Sequence, residues 1–166
     1  SARIGARQVV DTLNEVFGLL DELALKHNVE KIKTIGDCYM VVAGVPDRSP
    51  THAQQIAEFA LDMQSALSDY ASSSGREISM RTGIHTGTAV AGIVGTSKFT
   101  YDLWGDVVNV ASRMEATSAP GRIHVSSAVR VRLEDDYEFE DRGTTALKGK
   151  GEQNTWFLTD RRTANH

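Results

Sequence analysis

Glu30-Lys31-Ile32-Lys33-Thr34-Ile35-Gly36-Asp37-Cys38-Tyr39-Met40-Val41-Val42 alternates on either side of a Gly36-Asp37 pair, which reads as a β-hairpin turning tightly at that pair. A carboxylate at such a turn is held rigidly at a sheet end, where a hard cation can bind. Asp37 is therefore the candidate metal ligand. Upstream, Ile4, Val9, Val10, Leu13, Val16, Phe17, Leu20 and Leu23 recur at helical spacing and predict an amphipathic helix through about Lys26. Downstream, Pro46 and Pro50 close the hairpin unit, and a second helix buries Ile56, Phe59, Ala60, Met63 and Leu67. Ser72-Ser73-Ser74-Gly75 reads as a loop. Ile78 to Ile84 and Ala89 to Val94 read as strands joined by His85-Thr86-Gly87 into a second hairpin.

The remaining elements follow a long polar and aromatic stretch, Tyr101-Asp102-Leu103-Trp104-Gly105-Asp106-Val107-Val108-Asn109-Val110-Ala111-Ser112-Arg113-Met114. Its first part reads as a loop that Tyr101, Leu103 and Trp104 pack down. Asp106 then caps a third helix with a buried stripe of Val107, Val110, Ala111 and Met114. A short strand over Ile123 to Val125 leads into a short helix from Ser126 to Leu133. Strands at Tyr137 to Arg142 and Thr155 to Leu158 bracket Leu147-Lys148-Gly149-Lys150-Gly151. Hairpins alternating with helices predict a mostly antiparallel α+β sheet with helices on one face.

At 166 residues the chain fits one domain with a real core. Its 40% hydrophobic and 24% charged residues are ordinary for a globular protein. With a formal net charge of -4, no broad basic field exists to attract nucleic acid or anionic lipid. Any phosphate site must be built locally from a few placed Lys and Arg. No apolar run approaches the roughly 18 residues of a membrane span, and no signal peptide opens the chain. Ser1-Ala2-Arg3-Ile4 enters a helical pattern at once, as expected of a piece of a longer protein. Cys38 is the single cysteine, which excludes an intrachain disulfide and reads as a small core residue in a reducing compartment.

Asn109 and Arg113 are four residues apart and share a helix face, where an amide and a guanidinium can hold a ribose and a polyphosphate. The competing reading is a solvated helix face. Lys33 and Asp102 together offer a donor and an acceptor, which match the adenine edge; guanine reverses that demand. Lys148, between glycines, can reach a phosphate or form an exposed turn. The glycines at 83, 87, 92 and 95 do not make a dinucleotide fingerprint, no phosphate-loop motif exists, and these glycines read as turns and strand bends. The five histidines have no metal-ligand spacing and read as incidental.

These stretches resemble the catalytic domain of class III nucleotidyl cyclases, in particular adenylyl cyclases of the membrane-anchored, homodimeric bacterial type. Four ordered motifs carry the resemblance: the Glu30-to-Pro46 hairpin, Arg81-Thr82-Gly83-Ile84-His85-Thr86-Gly87, Tyr101 to Met114, and Lys148 to Gly151. The resemblance implies a ferredoxin-like sheet with additional C-terminal strands, in a single domain over residues 1–166. It implies that Asp37 is one of two aspartates binding a pair of divalent cations, Mg2+ or Mn2+. It implies further that Lys33 and Asp102 read adenine, that Asn109 and Arg113 position the ribose and stabilise the transition state, and that Lys148 holds the terminal phosphates. Sites in this family form between two head-to-tail subunits, and one chain carrying both residue sets implies a C2 homodimer. The family's other metal aspartate lies on a first strand ahead of the first helix, and this chain begins after it.

The implied function is conversion of ATP to 3',5'-cyclic AMP and pyrophosphate, in the cytoplasm, as the cytosolic domain of a membrane-anchored parent. The domain itself would touch neither membrane nor nucleic acid. A guanylyl cyclase would need acidic character at position 33, against which Lys33 argues. A non-catalytic nucleotide-binding or dimerisation module is the reading if the second metal aspartate is truly absent.

Overall fold

The computed structural model describes residues 2–35, 37–45, 49–76, 78–88, 90–94, 100–147 and 151–162, with the side chains of 2–6, 35, 90–94 and 100–104 outside that description. Helix α1 spans Ala2–Lys26 and buries Val16, Leu20 and Ala24, one turn apart from each other. It ends on Asn28 in the left-handed region (φ 55°), with the Val29 N–H reaching back to the Ala24 carbonyl. Val9 and Val10 were expected on the buried stripe, yet both are exposed. The apolar partners on α2 begin only at the level of Val16, so the first turns of α1 have no described core beneath them.

Strands β1 (Glu30–Ile35) and β2 (Cys38–Val42) form the predicted hairpin, Ile35 pairing with Cys38 across the turn that holds Asp37. A register shift between Lys31 and Lys33 interrupts the simple alternation. Helix α2 (His52–Ser74) packs on α1 through Phe59, Met63 and Leu67. The serine run expected as a loop is its last turn. The Ser73 and Ser74 hydroxyls donate to the Tyr70 carbonyl at 3.3 and 2.6 Å, serving the helix end, and Gly75 (φ 72°) stops it.

The expected second hairpin does not form. Strand β3 is only Thr82–Ile84 and pairs in parallel with β6 (Ile123–Ser126), while β4 (Val90–Val94) pairs with β5 (Thr100–Trp104), the segment expected as a loop. Parallel pairing requires a crossover, which helix α3 (Asp106–Ala116) helps to supply. Gly105, not Asp106, is its N-cap; Asp106 lies in the first turn, where its charge suits the helix dipole. Ser126 precedes α4 (Ser127–Leu133) as expected. The last two strands, β7 (Tyr137–Leu147) and β8 (Gly151–Arg161), are longer than predicted.

Among the described residues, the strands form a β1-β2 pair, a β4-β5 pair and a four-stranded sheet in the order β3-β6-β8-β7. Only the β3–β6 pairing is parallel there, so the α+β, mostly antiparallel class holds. One face of the four-stranded sheet is apolar. Ile84, Ile123, Val125 and Leu158 pack there against Ala57, Ala60 and Leu61 of α2 and Val129 and Leu133 of α4. The opposite face, under α3, carries the buried polar residues His124, Ser126, Thr145 and Thr155. Strand alternation separates the two sets. Among the described residues no helix is long and apolar enough to cross a membrane.

Candidate active site

Helix α3 presents Asn109 and Arg113 on its exposed side while Val110 and Met114 are buried. Val110 and Met114 meet Leu147 of β7 in a small separate cluster, which seats the helix against the end of the β7–β8 hairpin. Arg113 bends toward that hairpin: its Nε–H donates to the Ala146 carbonyl at 3.0 Å. One edge of the guanidinium is thereby fixed; its terminal nitrogens are the part of such a group that can pair with an anion as a planar fork.

Lys33 is half-buried on β1, opposite Met40. Asp102 lies on β5 opposite Gly92; its side chain is outside the described residues. Strand β1 runs close to β5, so the two elements that carry the candidate base-reading pair are neighbours. Lys148 lies outside the described residues, between the end of β7 and the start of β8. Asp37 is exposed at the β1–β2 turn. Lys33, Asp37, Asn109 and Arg113 thus sit on three described elements: β1, its turn, and α3.

Among the described residues no cluster of three His, Cys, Asp or Glu is placed to hold a metal ion. A single exposed carboxylate nonetheless suits Mg2+ or Mn2+, hard cations that keep several waters and take other oxygens from a substrate's phosphates. Asp37 offers one such oxygen ligand at the β1–β2 turn. Cys38, expected in the core, is exposed beside it: Tyr39 and Val41 pack on the α1–α2 core, and strand alternation turns Cys38 to the other face of β2.

Two hollows lie outside the candidate residues. One of about 130 Å³ lies under α3 and is lined by His85, Val110, Ser126, Leu147, Asn154 and Thr155. His85 Nδ1 and the Ser126 hydroxyl are 2.7 Å apart at its wall, so the serine before α4 bonds the imidazole instead of capping its helix. The larger, about 330 Å³, lies between α2 and the sheet beside the Arg122–Glu140 ion pair, and none of the candidate residues lines it.

The histidines among the described residues all have hydrogen-bond partners. His27 Nε2 meets Asp62 at 2.7 Å and His52 joins Ser49 to Thr86. His124 is wholly buried, with hydrogen-bond partners at both ring nitrogens. Gly83 also serves something other than a turn. A Cβ placed there would lie 2.1 Å from the Glu115 nitrogen and 2.7 Å from the Ala111 carbonyl oxygen, so α3 rests directly on the β3 backbone. The local sequence of β3 or β6 does not reveal that a helix crosses them.

Comparison with known proteins places this geometry in a family. A model described as the adenylate and guanylate cyclase catalytic domain matches residues 1–160. An adenylate cyclase of Mycobacterium tuberculosis is 46% identical over 156 residues, covering 94% of this chain and 35% of the relative. Human retinal guanylyl cyclase 1 is 44% identical over 164 residues, covering 95% of this chain and 15% of that protein. The chain therefore spans about a third or less of the length of these relatives. Among solved structures, the guanylate cyclase domain of RhGC from Catenaria anguillulae in complex with GTP superposes with a TM-score of 0.89 at 34% identity, covering 98% of this chain and 89% of that one. With its motifs, its fold and these matches in agreement, the chain belongs to the adenylate and guanylate cyclase catalytic domain family.

Proposed function

We propose that this domain is the catalytic part of an adenylyl cyclase that converts ATP to 3',5'-cyclic AMP and pyrophosphate. Relatives of both purine preferences lie at nearly equal identity, so overall similarity does not choose between ATP and GTP. The observation that carries the choice is Lys33 on β1, with β5, the strand of Asp102, alongside. A lysine only donates, which suits an adenine ring nitrogen; a carboxylate only accepts, which suits the adenine amino group.

The chain's own residues divide the remaining work. Asn109 holds the ribose so that its 3'-oxygen faces the α-phosphorus, which removes orientational freedom before the bond forms. The free edge of Arg113 meets the negative charge that grows on the α-phosphoryl oxygens, while its Nε bond to Ala146 keeps the fork from reorganising. Lys148 neutralises the terminal phosphates that leave as pyrophosphate. Asp37 would hold Mg2+ or Mn2+, two per complete site in the proposed enzyme, and the bound ions would supply a lowered pKa for the 3'-hydroxyl and positive charge to offset the triphosphate. Two copies related by a two-fold axis supply Asp37 from one protomer and Arg113 from the other. No side chain is assigned as a general base.

The test is cyclic nucleotide production by the protein at its full natural length, offered ATP and GTP separately with Mn2+. ATP should be the better substrate, and the pair Lys33→Glu with Asp102→Cys should move preference toward GTP. Unchanged purine selectivity in the double variant sinks the base-reading assignment. A wild-type preference for GTP would favour the guanylyl reading to which the retinal relatives point.

A further inference from the structure

We infer that Gly83 and His124, cross-strand neighbours beneath α3, are positioning residues for the reaction, holding the helix backbone at Met114 and through it the guanidinium of Arg113. The inference rests on the reading of Arg113 as the transition-state group. Gly83 of β3 and His124 of β6 are direct partners in the parallel register, so they lie side by side under the same helix. Gly83 sets how close α3 comes. With 2.1 Å between a would-be Cβ and the Glu115 nitrogen, and 2.6 Å to the Met114 carbonyl carbon, any side chain there must lift the helix. His124 sets where the helix stops along its axis. Its Nδ1 lies 2.8 Å from the Met114 carbonyl oxygen and 3.2 Å from Thr117 Oγ1. A carbonyl only accepts, so Nδ1 carries the proton.

Met114 is the residue for which that donor matters. The last carbonyls of a helix lack partners within it. Here the Thr117 N–H serves the Arg113 carbonyl and the Ser118 N–H serves Glu115, which passes over Met114. The imidazole fills the gap. Its other nitrogen, unprotonated in the neutral ring, accepts from the Thr155 hydroxyl on β8 at 2.8 Å, and Thr155 Oγ1 also lies 2.9 Å from the Gly143 carbonyl oxygen on β7 and 3.2 Å from the Thr145 hydroxyl. Among the described residues, the buried apolar cluster of α3 is small: Val110, Met114 and Leu147. Directional bonds to His124 add to that packing in defining the seat. Arg113, adjacent to Met114, is tied by its own Nε to the same β7 strand.

If this seat positions Arg113, its loss must appear in turnover and not in substrate capture, because Arg113 acts on charge present only in the transition state. His124→Asn puts an amide N–H near the position of Nδ1 and keeps the bond to Met114; His124→Gln reaches toward Thr155 and loses it. In the full natural-length protein with MnATP, His124→Gln should lower kcat about tenfold or more with KM within about twofold, an effect in keeping with a displacement of less than 1 Å. His124→Asn should recover kcat to within about threefold of wild type. Gly83→Ala should behave like His124→Gln, and since it also threatens folding, the Gln and Asn pair decides. All are assayed well below each variant's own melting temperature, beside Arg113→Ala. If Arg113→Ala abolishes turnover while His124→Gln only melts earlier, or if Asn is as slow as Gln, the inference is overturned and the reading of Arg113 stands. If Arg113→Ala turns over normally, that reading falls and this one with it.

Discussion

Partial burial raises the pKa of the Cys38 thiol above its usual value, and the negative charges of Glu115 and Asp37 push it further. Because the thiolate is the reactive form, an exposed cysteine in this setting is a poor nucleophile. Alkylation of Cys38 by iodoacetamide at pH 7.5 should be slower than that of a free cysteine, and neutralising Glu115 by Glu115→Gln should speed it. Equal rates in the two proteins would show that Glu115 has no hold on the thiol. Arg113 and His124 make a complementary pair at this scale. The sequence points to Arg113 by its spacing from Asn109, because helix periodicity is local. It says nothing of His124, whose partners Met114, Thr117 and Thr155 come from two other elements.

The helices show which element boundaries are written locally. Gly75 closes α2 in the left-handed conformation with its N–H on the Ala71 carbonyl, and a Cβ there would meet nothing within 4 Å. Gly75→Ala should therefore cost only the backbone preference, about 1 kcal/mol in urea unfolding; a loss above about 3 kcal/mol would reveal a packing role. Helix α3 differs in kind. Its start at Gly105 is local, but its height above the sheet is set by the bare backbone of Gly83, and its far end by an imidazole from β6. The second hairpin was misread for the same reason. Thr82-Gly83-Ile84 resembles the arm of a hairpin, yet its partner is β6, some forty residues away, because Ile84 joins Ile123 and Val125 in the core under α2 while Gly83 makes room for α3.

Across the whole molecule, an ion-pair network joins the end of α1 to α2 and β8. Lys26, His27 and Arg161 converge on Asp62, and Arg161 and Tyr137 also bind Glu58. Burial opposes ionisation of Asp62, but the hydrogen bonds from His27, Lys26 and Arg161 outweigh it and hold the carboxyl below the usual range. His124 is lowered too, first by burial and also by the charge of Arg142, against the opposing pull of the Met114 carbonyl. For both groups the folded pKa lies below the unfolded one, so between the two values the unfolded chain binds more protons and stability is lost as the pH drops. The His124 contribution should be complete above about pH 6.5 and decline below it; that of Asp62 should be complete above about pH 4 and decline below that. Chemical denaturation from pH 8 to pH 4 should show a plateau above about pH 7 and a progressive loss below. In His124→Asn the portion that begins just below about pH 6.5 should shrink; an identical curve would exclude His124 as a source.

What the sequence determined by itself was everything carried by local periodicity and turn chemistry. The Gly36-Asp37 hairpin, the helices α1 to α4, and the spacing of Asn109 and Arg113 all depend on residues a few positions apart, and so does the motif order that marks the family. Tertiary structure alone decided which strands pair, that β5 is a strand, and that α3 sits on a buried polar face of His124, Ser126, Thr145 and Thr155. Those outcomes depend on which surfaces of distant segments bury one another. A hydrogen bond between His124 and Met114 exists only once β6 lies under α3, and no spacing along the chain encodes that meeting.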